Sequence, residues 1–330
     1  MTSEAPARRA RKRSAHAVLA QALQSGDLSV LAALEPCDRR DRFLTLLALY
    51  DLHTAPLDTL GDAARLQGHP AVAELKARLE QSWLAELEEV WADAEPEADP
   101  STVEGAVTWI RGVAVQDRLP EAYRWLAEEA SREQLDAFLA LEGGPDAGFD
   151  DLVAICQVGM SGEAKLELGK NYWDEMGNGT LSEVHTQLHH DVCEALRLPV
   201  VPREELPVEA LERAALNGLL ATNRWLQPEM LGALGLTELQ AGPRCRLVLK
   251  AFDRLGVSPE AYPFYEVHAD VDPVHGKDWV EKVIMPTVAQ HPAWGERILR
   301  GAVWRARLNL AFFSAAHARL ARGAESSQAA

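Results

Sequence analysis

The chain has 330 residues, of which 47% are hydrophobic and 25% charged, a composition typical of soluble globular proteins. Its net charge of −17 argues against general binding of nucleic acids or anionic membranes, because both need a positive protein surface. The length exceeds the roughly 250–300 residues that one hydrophobic core usually organises, so two domains are expected.

Neither a membrane span nor a disulfide framework is indicated. No uninterrupted apolar run approaches the ~18 residues that a span needs. The basic stretch from Arg8 to Arg13 lacks the apolar segment of an export signal and predicts a disordered tail over residues 1–14. We therefore predict a cytoplasmic protein without a membrane or nucleic-acid partner. The four cysteines lie far apart without a CxxC pair, which favours free thiols: Cys37, Cys156, Cys193 and Cys245.

Helical periodicity dominates the first hundred residues. Apolar residues at three- and four-residue steps predict helices over residues 15–23, 28–34, 42–52 and 71–90. The acidic, proline-bearing stretch 93–100 predicts a linker or an exposed loop. We predict a helical N-terminal region over residues 15–100, a second helical domain over residues 101–322 and a disordered tail over residues 323–330.

The second domain is also predicted to be helical. Ser101 with Glu104 and Ser131 with Gln134 form capping-box patterns that predict helix starts, and the sequence EGGP at residues 142–145 predicts a stop. Later helices are expected over residues 163–176, 182–196, 208–226, 228–234, 244–255, 277–290 and 293–322. Because no segment alternates with period two, we predict an all-α fold with little or no sheet.

One stretch, residues 264–279, carries three potential metal ligands at helical spacing. In a helix, His268, Asp272 and His275 would share one face over three successive turns. Two imidazoles and a carboxylate suit a borderline to hard transition metal, and the lack of thiolate argues against a closed structural zinc site. The alternative is a solvated helix face that happens to carry two histidines.

Partners for a metal pair in a helical bundle would have to come from other helices. Asp174 and Glu175 lie near the C-terminal end of a predicted helix, where negative charge interacts unfavourably with the helix dipole. A bound cation nearby would offset this interaction. The alternative is that both are surface charges. Glu238 stands between leucines and, if buried, would need a metal or an arginine, although most such glutamates face solvent.

A histidine cluster supplies the third set of candidates. His185 and His189 are four residues apart and could bind one metal ion together. The zinc-protease pattern HExxH is absent, since Thr186 stands where the glutamate would be. A surface histidine cluster is therefore the alternative interpretation.

Taken together, these residues resemble the ligand set of the haem-oxygenase-like diiron oxidases and oxygenases, a superfamily of iron-containing redox enzymes. The stretch DEMGNGTLSEVH, with Glu175 and His185 at either side of a glycine turn, is similar to one family pattern, and His268, Asp272 and His275 match His-x3-Asp-x2-His. Glu238 falls where the family often supplies a bridging glutamate. The resemblance covers roughly residues 120–320, and the N-terminal region resembles nothing that we can name.

The resemblance implies a haem-oxygenase-like helical bundle that holds two iron ions, Fe(II)/Fe(III), and no haem. It implies an O2-dependent enzyme that acts on a small amine, amino acid or fatty acid by N-oxygenation, desaturation or oxidative C–C cleavage. Expected partners are the small-molecule substrate and O2, with an external electron donor and a homodimer left open. The implied metal ligands are Glu175, His185, Glu238, His268, Asp272 and His275.

Residues that neighbour the implied ligands are candidates for substrate binding. The aromatic candidates are Tyr172, Trp173 and Tyr265, for which core packing is the alternative role. Arg244 could hold a substrate carboxylate as a bidentate donor, and a surface position is its alternative.

Pro273 lies inside the predicted ligand helix. Proline lacks the backbone N–H donor and costs about 3 kcal/mol in a helix interior. We therefore expect that this helix forms fully only when its residues coordinate a metal. The segment would then act as a gate for metal loading.

Two other functions remain open from the sequence. His268, Asp272 and His275 alone could form the two-histidine, one-carboxylate site of a mononuclear non-haem iron enzyme. The chain could also be a metal-free helical interaction module whose acidic surface docks a basic partner.

Overall fold

The described residues are helical throughout. The computed structural model describes residues 13–94, 98–116, 118–146 and 148–328, and these residues contain no strand. This confirms the predicted all-α class. Residues 1–12 and 329–330 of the two predicted tails lie outside the described part, whereas residues 323–328 continue the last helix.

The chain divides into two compact units, Met1–Trp83 and Leu84–Ala330. The division falls inside one helix, Pro70–Ala92, and the domain limits predicted near residue 100 stay a prediction. None of the described helices is both long enough and apolar enough to span a bilayer.

The first unit contains α1 (Ala15–Ser25), α2 (Arg39–Thr54), α3 (Leu57–Leu60) and the beginning of α4 (Pro70–Ala92). Buried Asp41 joins α2 to the start of α1, because its carboxylate accepts hydrogen bonds from the Ser14 hydroxyl at 2.7 Å and the Ala15 amide at 2.7 Å. Burial would raise the pKa of Asp41, but backbone amides led by those of His16 and Cys37 hold it below its ordinary value.

The second unit is built around one long helix, α12. It contacts α5, α6, α11, α13 and α15. The helices of this unit after α4 are α5 (Val103–Gln116), α6 (Glu121–Glu128), α7 (Arg132–Asp146), α8 (Phe149–Cys156), α9 (Gly162–Glu175), α10 (His185–Leu196), α11 (Val208–Thr222), α12 (Gln227–Leu255), α13 (Pro263–Asp278), α14 (Met285–Gln290) and α15 (Ala293–Gln328).

Close backbone contact holds α12 against α15. A Cβ at Gly232 would lie 1.7 Å from the Ile298 carbonyl oxygen, so only glycine permits this approach. One turn earlier, the fully buried Glu229 pairs with Arg297 at 2.8 Å and also with Arg300. The ion pairs compensate the burial of the carboxylate between the two helices.

Two predicted helix limits are wrong because tertiary packing overrides local signals. The helices expected over residues 228–234 and 244–255 are one helix of 29 residues, in which Gly242 and Gly235 sit against α13 and the Trp279 ring. Helix α7 runs past the EGGP sequence to Asp146, and the ring of His189 from α10 packs directly on its backbone at Gly143.

The helix caps follow the sequence only in part. The Ser131–Gln134 capping box is confirmed: the Ser131 amide donates to Gln134 Oε1 at 2.8 Å, and the Gln134 amide donates to Ser131 Oγ at 3.3 Å. For α5 the predicted cap is wrong by one residue. Thr102 Oγ1 accepts from the Gly105 amide at 3.0 Å, because the Ser101 hydroxyl is already bonded to Asp99.

The glycine-rich turn between α9 and α10 is confirmed and tightly constrained. Helix α9 ends at Glu175, and α10 begins at His185. Gly177 has a φ of 57°, and a Cβ there would lie 2.4 Å from the carbonyl carbon of Glu183. The turn therefore needs glycine both for its left-handed backbone and for the room that the missing side chain leaves.

We predict that Gly177→Ala destabilises the second unit more than Gly256→Ala. Gly256 also has a positive φ, 62°, but nothing lies within 4 Å of its Cβ position. Its replacement should cost only the left-handed conformation, about 1–2 kcal/mol. Gly177→Ala should add about 1–3 kcal/mol of overpacking, because backbone atoms block the methyl group. Urea unfolding of both variants measures the difference, and equal losses would contradict the steric argument.

Candidate metal centre

Five of the six predicted ligands come together inside the second unit. The first group of potential ligand atoms belongs to Glu175, His185 and His268, and the second to Glu175, Glu238 and His275. Within each group the atoms lie within 4.8 Å of one another, and Glu175 belongs to both. Because α9, α10, α12 and α13 each supply at least one residue, the groups lie inside the bundle.

Helix α13 presents the predicted face of three ligands. His268, Asp272 and His275 lie on its successive turns, and Asp272 and His275 are each only 2% exposed. The structure assigns His268 to the first group and His275 to the second. Asp272 belongs to neither, but it lines the same cavity, and its Oδ2 has no hydrogen-bond partner among the described residues.

Several buried ligand atoms approach each other without forming hydrogen bonds. His185 Nδ1 lies 2.7 Å from Glu175 Oε2, yet its geometry is not that of a hydrogen bond. His275 Nδ1 lies 3.6 Å from Glu238 Oε2 and also lacks a hydrogen-bond partner in the described part of the chain. Buried polar atoms without partners are rare and call for an explanation such as an ion. Imidazole nitrogens and carboxylate oxygens together fit iron.

The surrounding residues orient the two α13 histidines. His268 Nδ1 donates to the Phe264 carbonyl at 2.6 Å, and His275 Nε2 donates to Asp174 Oδ2 at 3.1 Å. Each bond occupies one ring nitrogen and leaves the other for its ligand group, as is usual for histidines that bind metals. These bonds therefore orient each ring with its other nitrogen towards the ligand group.

Two supporting residues on α9 were not predicted as parts of the site. Asn171 Nδ2 donates to Glu238 Oε1 at 2.8 Å and so fixes the carboxylate of the second group. Asp174, which the sequence offers with Glu175 as a candidate but which the implied ligand set leaves out, instead bonds His275. The available signal was spacing, since Asn171 and Glu175 are four residues apart and share one helix face.

The electrostatics of the site reflect crowded buried charges. Burial lowers the pKa of His268 to about 4, with the neighbouring His185 acting in the same direction. Burial also acts to lower the pKa of His275, but the carboxylates of Glu238, Asp174 and Glu175 prevail and raise it to about 9. The pKa of Asp272 is well above its ordinary value because of burial and then of repulsion by Glu238 and Glu175.

Helix α13 remains continuous through Pro273 because another helix replaces the missing hydrogen bond. Proline has no N–H to donate to the carbonyl of Ala269, four residues earlier. Arg246 of α12 donates its Nη2 to that carbonyl. The proline ring packs on Gly242, where a Cβ would lie 3.1 Å from the proline Cδ. The predicted gating role of Pro273 stays a prediction.

A cavity of about 240 Å³ adjoins the ligand groups. Of the predicted substrate-binding residues, Arg244 and Tyr265 line it. Tyr172 and Trp173 are not among its described lining residues, and Trp173 is 52% exposed beside Gly179. His189 lines the cavity without joining either ligand group. Sequence reasoning missed further polar residues that line the cavity, among them Asp150, Arg213, Asn217, Arg305 and Asn309.

Comparison with protein families identifies the family of the chain. A family model described as iron-containing redox enzyme matches residues 137–310, more than half of the chain. The matched range includes all six predicted ligands. No curated protein matches the sequence.

We predict that His275 makes the stability of the metal-free protein depend on pH. Because its folded pKa, about 9, exceeds its ordinary value of 6.5, its proton stabilises the fold fully below pH 6.5. That contribution should disappear as the pH rises through about 9. Urea unfolding of chelator-treated protein and of its His275→Gln variant should show the stability difference shrinking over this range.

Because the carboxamide of glutamine does not titrate, the pH dependence that separates the two proteins belongs to His275 and the carboxylates around it. A constant difference between the unsubstituted protein and His275→Gln across the range would contradict the assignment.

We also predict that Arg246→Gln loosens α13. The Ala269 carbonyl would lose its side-chain donor, at a cost of about 1 kcal/mol, and the pKa of Asp272 would rise further, because Arg246 lowers it. Hydrogen exchange of the amides of residues 269–272 and 274–278 should accelerate. Lys250→Gln, one turn further along α12 and exposed, should leave these amides unchanged; similar acceleration in both variants would refute the role of Arg246.

Proposed function

Because the chain belongs to the iron-containing redox enzymes, a family of haem-oxygenase-like oxidoreductases, we propose that it holds two iron ions and oxidises a small organic substrate with O2. The observation that carries this proposal is the pair of ligand groups that share Glu175. A carboxylate has two oxygens and can serve two neighbouring ions, as in the carboxylate-bridged metal pairs of helical bundles.

We assign one ion to Glu175, His185 and His268, and the other to Glu175, Glu238 and His275. Asp272 is a further ligand candidate, since its buried Oδ2 lacks a partner in the described structure and lines the same cavity. Three carboxylates and three imidazoles can hold two Fe(II) ions and leave positions open. The proposal involves no haem.

Bound iron would supply the redox chemistry with O2. The protein residues position and protect the reactants. Asn171 holds the Glu238 carboxylate, and Asp174 holds the ring of His275, so the ligands are oriented before an ion binds. Asp272 favours its protonated form more than a free aspartate does, because burial and the neighbouring carboxylates raise its pKa, and it would have to lose that proton to serve as a ligand.

The substrate classes in our proposal are small amines, amino acids and fatty acids. The proposed reactions are N-oxygenation, desaturation and oxidative C–C cleavage in the cytoplasm. A cavity of about 240 Å³ is smaller than the roughly 300–1,000 Å³ of typical drug-sized ligand sites, which supports a small substrate. An external electron donor and a homodimer belong to the same proposal.

The arrangement of α13 favours two ions over the mononuclear alternative. A single ion held by His268, Asp272 and His275 would need one cluster of all three residues, whereas the two histidines contribute to different ligand groups. A metal-free interaction module is less well supported, because it gives no role to buried imidazole and carboxylate atoms that lack partners.

We predict that chelator-treated protein takes up about two Fe(II) per chain in an anaerobic titration, because two ligand groups lie inside the bundle. His268→Ala should reduce the count to about one, and Glu175→Gln should weaken both sites, since Glu175 belongs to both groups. O2 exposure of the loaded protein, followed by visible absorption and O2 consumption, would report redox activity.

The control is His291→Ala, which removes an exposed histidine that belongs to none of the candidate ligand groups and should leave both iron count and O2 consumption unchanged. One ion per chain in the unsubstituted protein would support the mononuclear site. No uptake would overturn every metal proposal.

A further inference from the structure

The two ligand groups share Glu175 but differ in their other members. The first adds the imidazoles of His185 and His268, whereas the second adds the imidazole of His275 and the carboxylate of Glu238. The first group therefore offers two nitrogens and one oxygen, and the second offers one nitrogen and two oxygens. The two positions are chemically unequal before any neighbouring residue is considered.

A buried amide beside the second group adds a further oxygen. Asn171 is 2% exposed, and its Nδ2 donates to Glu238 Oε1 at 2.8 Å, which places the amide next to that carboxylate. Its Oδ1 has no hydrogen-bond partner in the described part of the chain. Because a buried acceptor without a donor is costly, this oxygen is suited to a metal ion or to the water that such an ion carries.

The two histidines of α13 differ in the acceptor on the nitrogen that points away from the ligand group. His275 Nε2 donates to the carboxylate of Asp174 at 3.1 Å, whereas His268 Nδ1 donates to the neutral carbonyl of Phe264 at 2.6 Å. A carboxylate in this place raises the basicity of the ligand and brings negative charge towards the metal. The second group thus has more oxygen ligands and a histidine supported by a carboxylate.

The first group lies among aromatic rings. The ring centroids of His185 and His268 are 4.5 Å apart, and the ring of Phe264 lies 4.2 Å from that of His268. Asp150 and Asp272 line the same cavity but belong to neither group. Asp272 is about one turn from each histidine of α13, so its place on the helix favours neither position. The first group therefore keeps its imidazole-rich character.

We infer that the two positions prefer different ions, Fe(II) in the first group and Mn(II) in the second. Imidazole suits iron, whereas carboxylate, carbonyl and water oxygens suit manganese. For a given set of ligands Fe(II) binds more tightly than Mn(II), so manganese competes best where oxygen ligands predominate. The preference rests on the proposed two-ion centre and distinguishes its two ions. Iron alone fills both groups, and excess manganese replaces the ion of the second group first.

The test is a metal competition on the chelator-treated full-length chain under anaerobic conditions. Fe(II) and Mn(II) are supplied together at increasing ratios of manganese to iron, and elemental analysis of the desalted protein gives the content of each metal per chain. The replacement curve should require two ratios that differ about tenfold or more, because one group exchanges an imidazole for a carboxylate.

Matched variants assign each ratio to a group. His268→Ala weakens the first group, so the remaining ion should be replaced at the lower ratio of manganese to iron; in His275→Ala it should be replaced at the higher ratio. Asn171→Leu should raise the lower ratio, because it removes an oxygen beside the second group. His291→Ala, which removes an exposed histidine outside the candidate ligand groups, should change neither ratio. The unfolding midpoint of each variant verifies that it is folded.

The outcomes distinguish this preference from the proposed function. Uptake of two iron ions with a single replacement ratio in the unsubstituted protein would overturn the preference and leave the two-ion function standing. Equal ratios in His268→Ala and His275→Ala, or the reverse order, would overturn the assignment of the ions. An unchanged curve in Asn171→Leu would exclude Asn171 as a source of the preference. Uptake of neither metal would contradict the proposed function itself.

Discussion

The second unit must bury mutually repelling carboxylates inside a helical bundle. Glu175, Glu238 and Asp272 are each at most 4% exposed and come from three different helices. Their repulsion in a medium of low dielectric constant opposes the packing that brings those helices together. The pKa values of Asp272 and His275 are both raised, so both groups favour their protonated forms, which reduces the negative charge that the metal-free chain buries.

The packing that opposes this repulsion is concentrated on α12. Glycines allow its backbone to touch α15 at Gly232 and α13 at Gly242, and such contacts tolerate almost no added volume. The same helix carries Glu238, Arg244 and Arg246. It therefore contributes a carboxylate to the ligand groups, a buried arginine to the cavity and the side chain that donates to the Ala269 carbonyl of α13. Because all three side chains project from one helix, their relative positions are fixed.

Local patterns in the sequence were sufficient for the helical class, the shared face of α13 and the tight turn after Glu175. These features depend on periodicity and on glycine, which act over a few residues. Contacts between distant residues could not be found in this way. Asp174 and His275 are 101 positions apart, and Arg246 reaches a carbonyl 23 positions away. Likewise, a stop signal such as EGGP describes only local preference, which packing against α10 overrides.

The position of Glu175 has a thermodynamic consequence. One carboxylate contributes to two ligand groups, so any orientation it adopts for one group is imposed on the other. In the proposed two-ion centre, occupancy of the two groups is consequently linked by a coupling free energy, and linkage requires this coupling to be reciprocal. The turn at Gly177 fixes the end of α9 from which this side chain projects, so a backbone conformation would help to determine the cooperativity of the proposed centre.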